Sequence, residues 1–546
     1  MGFLSSLLLS ASLTFGSPVN HPLTLAGNFG EPRPNHFHAG IDVRTEHVEG
    51  KPIFSIADGY VSRITVGLHG FGNALYVTHP NGYTSVYCHL KRFIPQIAAI
   101  TRKWQYANET WEADVRLKPT DFPVTKGQLI AVSGNTGASL APHLHLELHE
   151  TKSGSFADPL MFLSPFVKDT TPPVGHSIKV YPMSGEGVFN GSAGTQVLSL
   201  SSLPSRRNTA WGKIGFAIWA NDYMEDSFGR LGVYRTTLMV DGREVFSSTV
   251  DSIHPRYNRN VNSWGDYWHF LMTKVWFMKS FAEPGNALPL LKTDADRGII
   301  TISEERPYDI RYILSDRFGN SREYSFTVHG ERQDIRKAPL MLAPGERKFA
   351  YDRHNMIKSA DIIIDIPRGL LPGDVVVKPV VRQHTTAKSK AYSFYPASYP
   401  LFNWADISMK PNGSIADASK LYIECDGAFP RFCGNEQADG WVKGRMRELG
   451  ATYYVAYDDT PPRISAYNDG SRYVRIAMSD DKSGVKTWRA YVDDEFVLFE
   501  KLDKTSTVQC DIRELPVART GSVHKLRFIL IDNCGNESEY VGEISL

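Results

Sequence analysis

The sequence has almost no excess of charge of either sign. Its 60 lysine and arginine residues offset 59 aspartate and glutamate residues, which leaves a formal net charge of +1. Nothing in this balance suggests a nucleic-acid-binding surface or a broadly polybasic patch for a membrane surface. We therefore expect no nucleic-acid partner.

Long hydrophobic runs are also absent. The apolar run at residues 1–15 is too short to span a bilayer, and it suits the hydrophobic region of a secretory signal, although no Lys or Arg precedes it. We predict a signal peptide at residues 1–17 and no transmembrane segment in the mature chain. The protein is then expected to be exported, to the periplasm, the cell envelope or the medium.

Cysteine is scarce, with five residues in 546, and the spacing of these residues matches no metal-ligand pattern. Cys425 and Cys433, and also Cys510 and Cys534, could pair as disulfides in an oxidising compartment, which would leave Cys88 unpaired. The alternative is five buried free thiols.

The residues that are abundant favour a mostly β chain with several domains. Gly (44), Pro (32), Tyr (25) and Phe (28) favour short strands and turns, and 546 residues exceed what one hydrophobic core organises. We predict a β domain at residues 23–165 and β-sandwich, Ig-like modules at 170–330 and 458–546. A mixed, mostly β module is predicted at 337–457, with one helix at 439–449.

An internal repeat supports the two sandwich modules. Residues 313–324 match residues 529–540 position by position, and each segment has the pattern of a strand, a tight Gly-Asn turn and a second strand. Similar linkers, DTTPP at residues 169–173 and DDTPP at 458–462, precede the two modules.

Residues 141–150 alternate polar and apolar side chains, which is the period of a half-buried strand. The alternation places His143, His145, Glu147 and His149 on one face and three leucines on the other. One face then covers a core, and the histidine-lined face is available to bind a metal such as zinc.

A second histidine cluster occupies residues 35–42. His38 and Asp42 are four residues apart, so both can face the same way on an extended segment, and Gly40 leaves room for the backbone beside an ion. With His145 they would supply two imidazoles and one carboxylate, and would leave one position open for water, as catalytic zinc sites do. Spacing alone makes this a candidate zinc site.

Two further histidines are candidates for the same groove. His143 would lie roughly 6–7 Å from His145 along the strand. This distance is too long for an automatic fourth ligand, but it suits a group that handles a proton or an oxyanion. His89, at the end of a predicted hairpin strand, is the other candidate.

These motifs together resemble the lysostaphin/LytM-type zinc metallopeptidases. The matching residues occur in family order across residues 23–165 and are His38-x-Gly40-x-Asp42, Ala57-x-Gly59-x-Val61, Tyr87-x-His89-Leu90, Gly134-Asn135-Thr136-Gly137 and His143-x-His145. The resemblance implies an antiparallel β-groove domain, of the duplicated hybrid motif type, with one zinc ion at its floor. It also implies that His38, Asp42 and His145 bind zinc and that His89 and His143 are catalytic.

The resemblance further implies an exported zinc metalloendopeptidase that hydrolyses stem or cross-bridge peptides of peptidoglycan, with a zinc-activated water and a histidine general base. The C-terminal β modules would contact envelope protein partners. One alternative is a non-catalytic envelope factor that binds or activates a separate cell-wall hydrolase. The other is a secreted protease that acts on glycine-rich proteins.

The sequence departs from the family pattern in two places. Ala141 stands where many members have Gly, and an insertion at residues 97–122 would change one wall of the groove and so the substrate preference. The aromatic residues Trp104, Tyr106 and Trp111 of this insertion could stack on sugar or peptide, or brace the insertion itself.

Several residues beside the motifs are expected not to bind metal. His36 and His149 lie off the motif register, so we expect exposed, non-ligating side chains. Glu147 shares the predicted metal face and could support a ligand or sit at the groove edge. We expect Cys88 to point away from His89 and to be a packed thiol.

Overall fold

The computed structural model describes residues 15–225, 229–335, 341–426, 431–467, 472–515 and 523–545. The predicted signal peptide at residues 1–17 lies almost wholly outside this part of the chain. Within it, none of the helices has the length and apolar character needed to cross a membrane. The chain is mostly β, as predicted.

The N-terminal domain is built from one large antiparallel sheet, one small three-stranded sheet and one two-stranded hairpin. Its elements are β1 Leu25–Gly27, β2 Pro32–Arg33, β3 His36–Phe37, β4 Gly40–Arg44, β5 Pro52–Phe54, β6 Gly59–Val66, β7 Ala74–Thr78, β8 Tyr83–Cys88, β9 Leu90–Phe93, α1 Pro95–Ala107, β10 Ala113–Arg116, β11 Pro123–Val124, β12 Leu129–Ser133, β13 His143–Glu150, β14 Phe156–Ala157 and α2 Leu160–Leu163. The large sheet has the order β1-β4-β13-β8-β7-β6-β10, and the small sheet has the order β5-β12-β9. Strand β13 is therefore central.

The side chains of β13 alternate between two faces as predicted, but the strand is not half-buried, because both faces are buried from Leu144 to Leu148. Leu144, Leu146 and Leu148 are buried in the main core, and each contributes roughly 1.5–3 kcal/mol relative to an exposed side chain. The opposite face of β13 carries the histidines. Because a shift of one residue would exchange the two faces, the leucines set the register that aims the histidines.

The second domain contains one ten-stranded sheet. Its elements are β15 Val174–Phe189, β16 Gln196–Ser199, β17 Asn208–Asn221, β18 Arg235–Val240, β19 Arg243–Thr249, β20 Ser252–Ile253, α3 Val261–Trp264, α4 Tyr267–Thr273, β21 Met278–Lys279, β22 Leu291–Thr293, β23 Ile300–Ile302, β24 Pro307–Ser315 and β25 Ser321–Gly330. Strand β20 is not part of this sheet. It pairs with β14, so the second domain adds a strand to the large sheet of the N-terminal domain. The predicted hairpin of the repeat is β24 and β25.

The third domain contains two five-stranded sheets and one two-stranded sheet. Its strands are β26 Arg347–Phe349, β27 Asn355–Lys358, β28 Ile362–Ile366, β29 Val375–Val377, β30 Val380–Arg382, β31 Ala391–Ser393, β32 Pro400–Met409, β33 Leu421–Asp426, β34 Arg431–Gly434, β35 Glu436–Ala438, β36 Trp441–Glu448 and β37 Thr452–Tyr457.

The helix predicted at residues 439–449 is wrong, because this segment is strand β36 and pairs with β32. Its buried residues Val442 and Met446 are four apart, a spacing that fits one face of a helix and one face of a strand equally well. Gly444 decides between them, because it weakens a helix and here lets the Cys433 carbonyl approach within 2.6 Å of where a Cβ would be.

The last domain contains two four-stranded sheets. Its strands are β38 Arg463–Tyr467, β39 Tyr473–Ser479, β40 Val485–Val492, β41 Glu495–Val497, β42 Glu500–Lys501, β43 Thr507–Asp511, β44 His524–Asp532 and β45 Glu537–Ile544. The second predicted hairpin of the repeat is β44 and β45.

The last domain packs against the insertion that was predicted at residues 97–122. Trp111 of the insertion stacks on Trp488 with ring centroids 5.4 Å apart, and Arg102 on α1 donates a hydrogen bond to Glu514 at 2.9 Å. The aromatic side chains thus brace the insertion against another domain.

All five cysteines are free thiols in this structure, and four of them are buried as the alternative expectation had it, whereas Cys433 is only partly buried. Cys425 and Cys433 lie on the two paired strands of one hairpin, β33 and β34, and the thiols contact the backbone carbonyls of Asp426 and Arg431. Cys510 and Cys534 belong to separate buried clusters.

Gly40 was expected to leave room beside an ion, whereas in the structure it leaves room for the backbone of strand β13, a role that can be tested on stability. A Cβ at Gly40 would lie 2.2 Å from the Leu146 carbonyl oxygen, whereas a Cβ at Gly67 would meet no atom within 4 Å. We expect Gly40→Ala to cost about 1–3 kcal/mol, because strand β13 cannot move away without disturbing the core. Thermal unfolding should show a lower midpoint for Gly40→Ala and an unchanged one for Gly67→Ala. Equal midpoints for both would contradict this packing.

Candidate metal centre

The pairing of β4 with β13 brings Asp42 and His145 together. They are direct cross-strand partners, so their side chains leave the sheet on the same face. Asp42 Oδ1 lies 2.8 Å from His145 Nδ1. A carboxylate from one strand and an imidazole from the next therefore meet at one point.

His38 reaches the same point from the segment between β3 and β4. Its Nε2 atom lies 3.0 Å from Asp42 Oδ1 and 2.9 Å from His145 Nδ1. Its Nδ1 atom lies 2.6 Å from the carbonyl oxygen of Asn28, which orients the ring. The structure thus brings together the three residues predicted as metal ligands.

The donor set fits a zinc ion. One atom each from His38, Asp42 and His145 lie within 4.8 Å of one another, and all three residues are buried. Zinc bonds of about 2.0–2.1 Å in a tetrahedral site put neighbouring ligand atoms about 3.3 Å apart, close to the separations seen here. Two nitrogen donors and one carboxylate oxygen are also the ligand types of catalytic zinc sites.

Glu147 contacts the ring nitrogen of His145 that points away from Asp42 and His38. Glu147 Oε1 lies 2.9 Å from His145 Nε2, and Glu147 Oε2 lies 2.5 Å from His149 Nε2. Glu147 is 2% exposed, so it is not a groove-edge charge. A carboxylate on the far nitrogen of a ligand histidine fixes the tautomer that leaves the near nitrogen free for a metal.

Arg33 neutralises the ligand carboxylate. Its Nη2 atom donates to Asp42 Oδ2 at 2.7 Å, which leaves Asp42 Oδ1 facing the two ligand histidines. Burial favours the neutral carboxyl, but His38 and hydrogen bonds from His143 and His145 hold the pKa of Asp42 well below its usual range. Asp42 is therefore ionised, as a metal ligand must be.

The two ligand histidines differ in protonation. Burial lowers the pKa of His38 to about 4, so this ring is neutral near pH 7. Burial acts the same way on His145, but hydrogen bonds to Asp42 and Glu147 outweigh it and raise the pKa of His145 to about 9. A metal ion at Nδ1 would therefore replace a proton of His145.

His89 and His143 lie beside the three candidate ligands. The ring centroids of His89 and His143 are 4.9 Å apart, and His143 Nε2 lies 3.3 Å from Asp42 Oδ1. His89 has a left-handed φ of 60°, where the chain leaves β8 and turns its ring towards the site. The structure thus brings all five predicted site residues into one cluster.

Both of these histidines have a carbonyl partner at Nδ1. His89 Nδ1 lies 2.8 Å from the Thr136 carbonyl oxygen, and His143 Nδ1 lies 2.8 Å from that of Ala141. A neutral ring that donates from Nδ1 carries an unprotonated Nε2, which can accept a proton. Burial and the nearby His145 and His143 lower the pKa of His89 to about 3, so it is neutral near pH 7.

His36, His149 and Cys88, the residues beside the motifs, match their expected positions only in part. His36 is exposed, as expected, whereas His149 is partly buried and hydrogen-bonded to Glu147. Cys88 is a buried thiol near Ala74 and Val86, but it is the cross-strand partner of His145 and so shares the metal face of the sheet.

Two residues of the site, Arg33 and Asn28, belong to none of the sequence motifs. Arg33 is nine residues from Asp42, and Asn28 is ten from His38, with a turn between each pair. Neither spacing is a known motif, and the loop path alone brings these residues to the site.

Comparison with known proteins gives the family of this chain. Residues 36–99 match the model of peptidase family M23, and residues 346–458 match that of a Zu5-like domain. Over 114 residues the chain is 30% identical to lipoprotein NlpD of Yersinia enterocolitica, an alignment that covers 91% of that protein and 21% of this chain. The chain belongs to peptidase family M23.

The M23 domain has further relatives. It is 33% identical over 137 residues to an uncharacterized metalloprotease of Haemophilus influenzae, and 32% identical over 98 residues to the peptidoglycan DD-endopeptidase ShyC of Vibrio cholerae. These alignments cover 24% and 18% of this chain, and 22% and 17% of the relatives, so the chain spans about a fifth of their length. The lysostaphin catalytic domain of Staphylococcus simulans is 24% identical, with 26% of this chain and 92% of that domain covered at a TM-score of 0.20.

The role of Glu147 can be tested on metal affinity. We expect Glu147→Gln to bind zinc about 10–100-fold more weakly, because the ring of His145 loses its charged partner. Glu150→Gln makes the same chemical change at an exposed position of the same strand and should leave the affinity unchanged. A competition titration with a chromophoric chelator measures both values. Equal affinities for the two variants would show that Glu147 does not support His145.

Proposed function

We propose that this protein is an exported zinc metalloendopeptidase that hydrolyses peptide bonds in peptidoglycan stem or cross-bridge peptides. The observation that carries the proposal is the convergence of His38 Nε2, Asp42 Oδ1 and His145 Nδ1 within 2.8–3.0 Å of one another. Two more histidines flank this point. The M23 family and the relatives named as peptidoglycan endopeptidases support the substrate class.

His38, Asp42 and His145 would hold the ion, and Glu147 and Arg33 would keep His145 and Asp42 oriented. When bound, zinc supplies Lewis acidity that polarises the scissile carbonyl and acidifies water. The charges around the site allow a zinc ion to bind. The carboxylates of Asp42 and Glu147 balance the Arg33 guanidinium and the His145 imidazolium, so no excess positive charge repels the ion.

His89 is assigned as the general base. Its Nδ1 donates to the Thr136 carbonyl, so the neutral ring offers Nε2 as an acceptor for a proton of the attacking water. The oxygen of this water adds to the carbonyl carbon of the peptide. The proton then passes from His89 to the leaving amine nitrogen as the C–N bond breaks, which balances the reaction.

His143 is assigned as the group that stabilises the tetrahedral intermediate. It is more exposed than His89, and its Nε2 lies 3.3 Å from Asp42 Oδ1, beside the candidate metal ligands and within reach of a substrate carbonyl. An Nε2–H group of His143 donates a hydrogen bond to the oxyanion that develops on the substrate.

The proposal predicts a loss of activity without a loss of metal. Purified mature protein and the variants His89→Ala and His143→Ala should be incubated with peptidoglycan sacculi, and the products identified by mass. We expect each variant to release peptides at least about 100-fold more slowly and to retain zinc, because neither ring is a ligand. His36→Ala, an exposed histidine beside the motif, should behave as the wild type.

Other outcomes distinguish the alternatives. Undiminished release by either variant would contradict the role assigned to that histidine. Zinc binding without any release by the wild type would favour the non-catalytic envelope factor. Cleavage of glycine-rich proteins but not of sacculi would favour the secreted protease.

A further inference from the structure

A cluster of carboxylates lies outside the metal centre, where the first domain joins the second. One carboxylate oxygen each from Asp169, Asp222 and Asp316 lie within 4.8 Å of one another, and all three residues are buried. Asp169 lies in the segment before β15, Asp222 directly follows β17, and Asp316 directly follows β24. The cluster therefore joins the interdomain segment to the ends of two strands.

The last domain builds the same cluster from Asp458, Asp480 and Asp532. The equivalence extends to an asparagine four residues after the third carboxylate. Asn320 donates to Asp316 Oδ2 at 2.6 Å and to the Asp169 carbonyl at 3.2 Å.

Asn536 makes the same two contacts in the last domain, with Asp532 Oδ2 at 2.7 Å and the Asp458 carbonyl at 2.8 Å. The second and last domains, which share the internal repeat, therefore contain the same arrangement of three carboxylates.

The two clusters differ in whether a basic side chain lies near their carboxylates. In the last domain, Lys482 Nζ lies 3.9 Å from Asp458 Oδ1 and 3.6 Å from Asp459 Oδ1. In the second domain, no described lysine or arginine lies within 4.0 Å of a carboxylate oxygen of Asp169, Asp222 or Asp316.

Two oxygens of the second-domain cluster are buried without a partner. Asp169 Oδ2 and Asp222 Oδ1 accept no hydrogen bond from the described residues. The side chains that carry them are 8% and 5% exposed. Burial and the nearby Asp169 and Asp316 raise the pKa of Asp222 to about 8, which reflects the cost of the uncompensated charge.

We propose that Asp169, Asp222 and Asp316 bind one Ca²⁺ ion, and that Lys482 takes the place of this cation in the matching cluster of the last domain. An all-oxygen carboxylate set suits hard cations, and Ca²⁺ binds oxygen at about 2.3–2.6 Å. Two oxygens on one Ca²⁺ ion are thus at most about 5 Å apart, a limit that the 4.8 Å spread satisfies. Asp169 Oδ2 and Asp222 Oδ1 accept no hydrogen bond and are therefore available to bind the ion.

The site would stabilise a segment that reaches the metal centre. Asp222 and Leu231 form a pair of backbone hydrogen bonds at 2.9 Å each. The next residue, Gly232, exchanges two hydrogen bonds of 2.7 Å with the Asn28 side chain. The Asn28 carbonyl is the partner of His38 Nδ1, so the contacts from Asp222 through Leu231 and Gly232 connect the Ca²⁺ site to a candidate zinc ligand.

The test is a calcium titration of the full, zinc-loaded chain after removal of calcium. Isothermal titration calorimetry is expected to give one Ca²⁺ per chain, and Ca²⁺ should raise the thermal midpoint because it binds only the folded state. Asp222→Asn should weaken Ca²⁺ binding at least tenfold and abolish the thermal shift. Asp480→Asn, the same change in the matching cluster, should leave both values unchanged.

The variants separate loss of the site from loss of the fold. Asp222→Asn replaces a buried carboxyl whose ionised form has no counter-charge, so its calcium-free midpoint should equal or exceed that of the wild type. Absence of calcium binding by the wild type at millimolar concentration would overturn the proposal. Binding that persists in Asp222→Asn, or that is lost in Asp480→Asn, would overturn it as well.

Discussion

The site depends on the cross-strand pairing of β4 with β13. This register places Asp42 opposite His145 and Gly40 opposite Glu147. The leucines of β13 hold the register from the core side, because a slip of one residue would turn the leucines away from the apolar core and point the histidines into it. Packing on one face of the strand therefore determines the chemistry on the other.

Residues outside the M23 domain reinforce this arrangement from two directions. The loop before His38 is held by the second domain, where Asn258 and Asn262 accept hydrogen bonds from the backbone of Phe37 and Asn35 at 2.7 and 3.0 Å. On the other side, Lys504 of the last domain donates to the Gly137 carbonyl at 2.8 Å. This contact is adjacent to Thr136, the partner of His89. The additional β domains thus contact both segments that position the site histidines.

The convergence of the five site residues could be predicted from sequence because strands have a period of two and the motifs match a known family. The same period did not decide residues 439–449, where the spacing of Val442 and Met446 fits a helix and a strand alike. Arg33 and Asn28 could not be predicted, because their contacts depend on the path of a loop. The burial of Glu147 also follows from tertiary packing alone.

The central claim is that His38, Asp42 and His145 form one zinc site, and the most direct test is a crystal structure collected at the zinc absorption edge. We predict an anomalous peak bonded to His38 Nε2, Asp42 Oδ1 and His145 Nδ1, with His89 and His143 outside the coordination sphere. A peak at another set of residues, or no peak in zinc-saturated crystals, would contradict the claim.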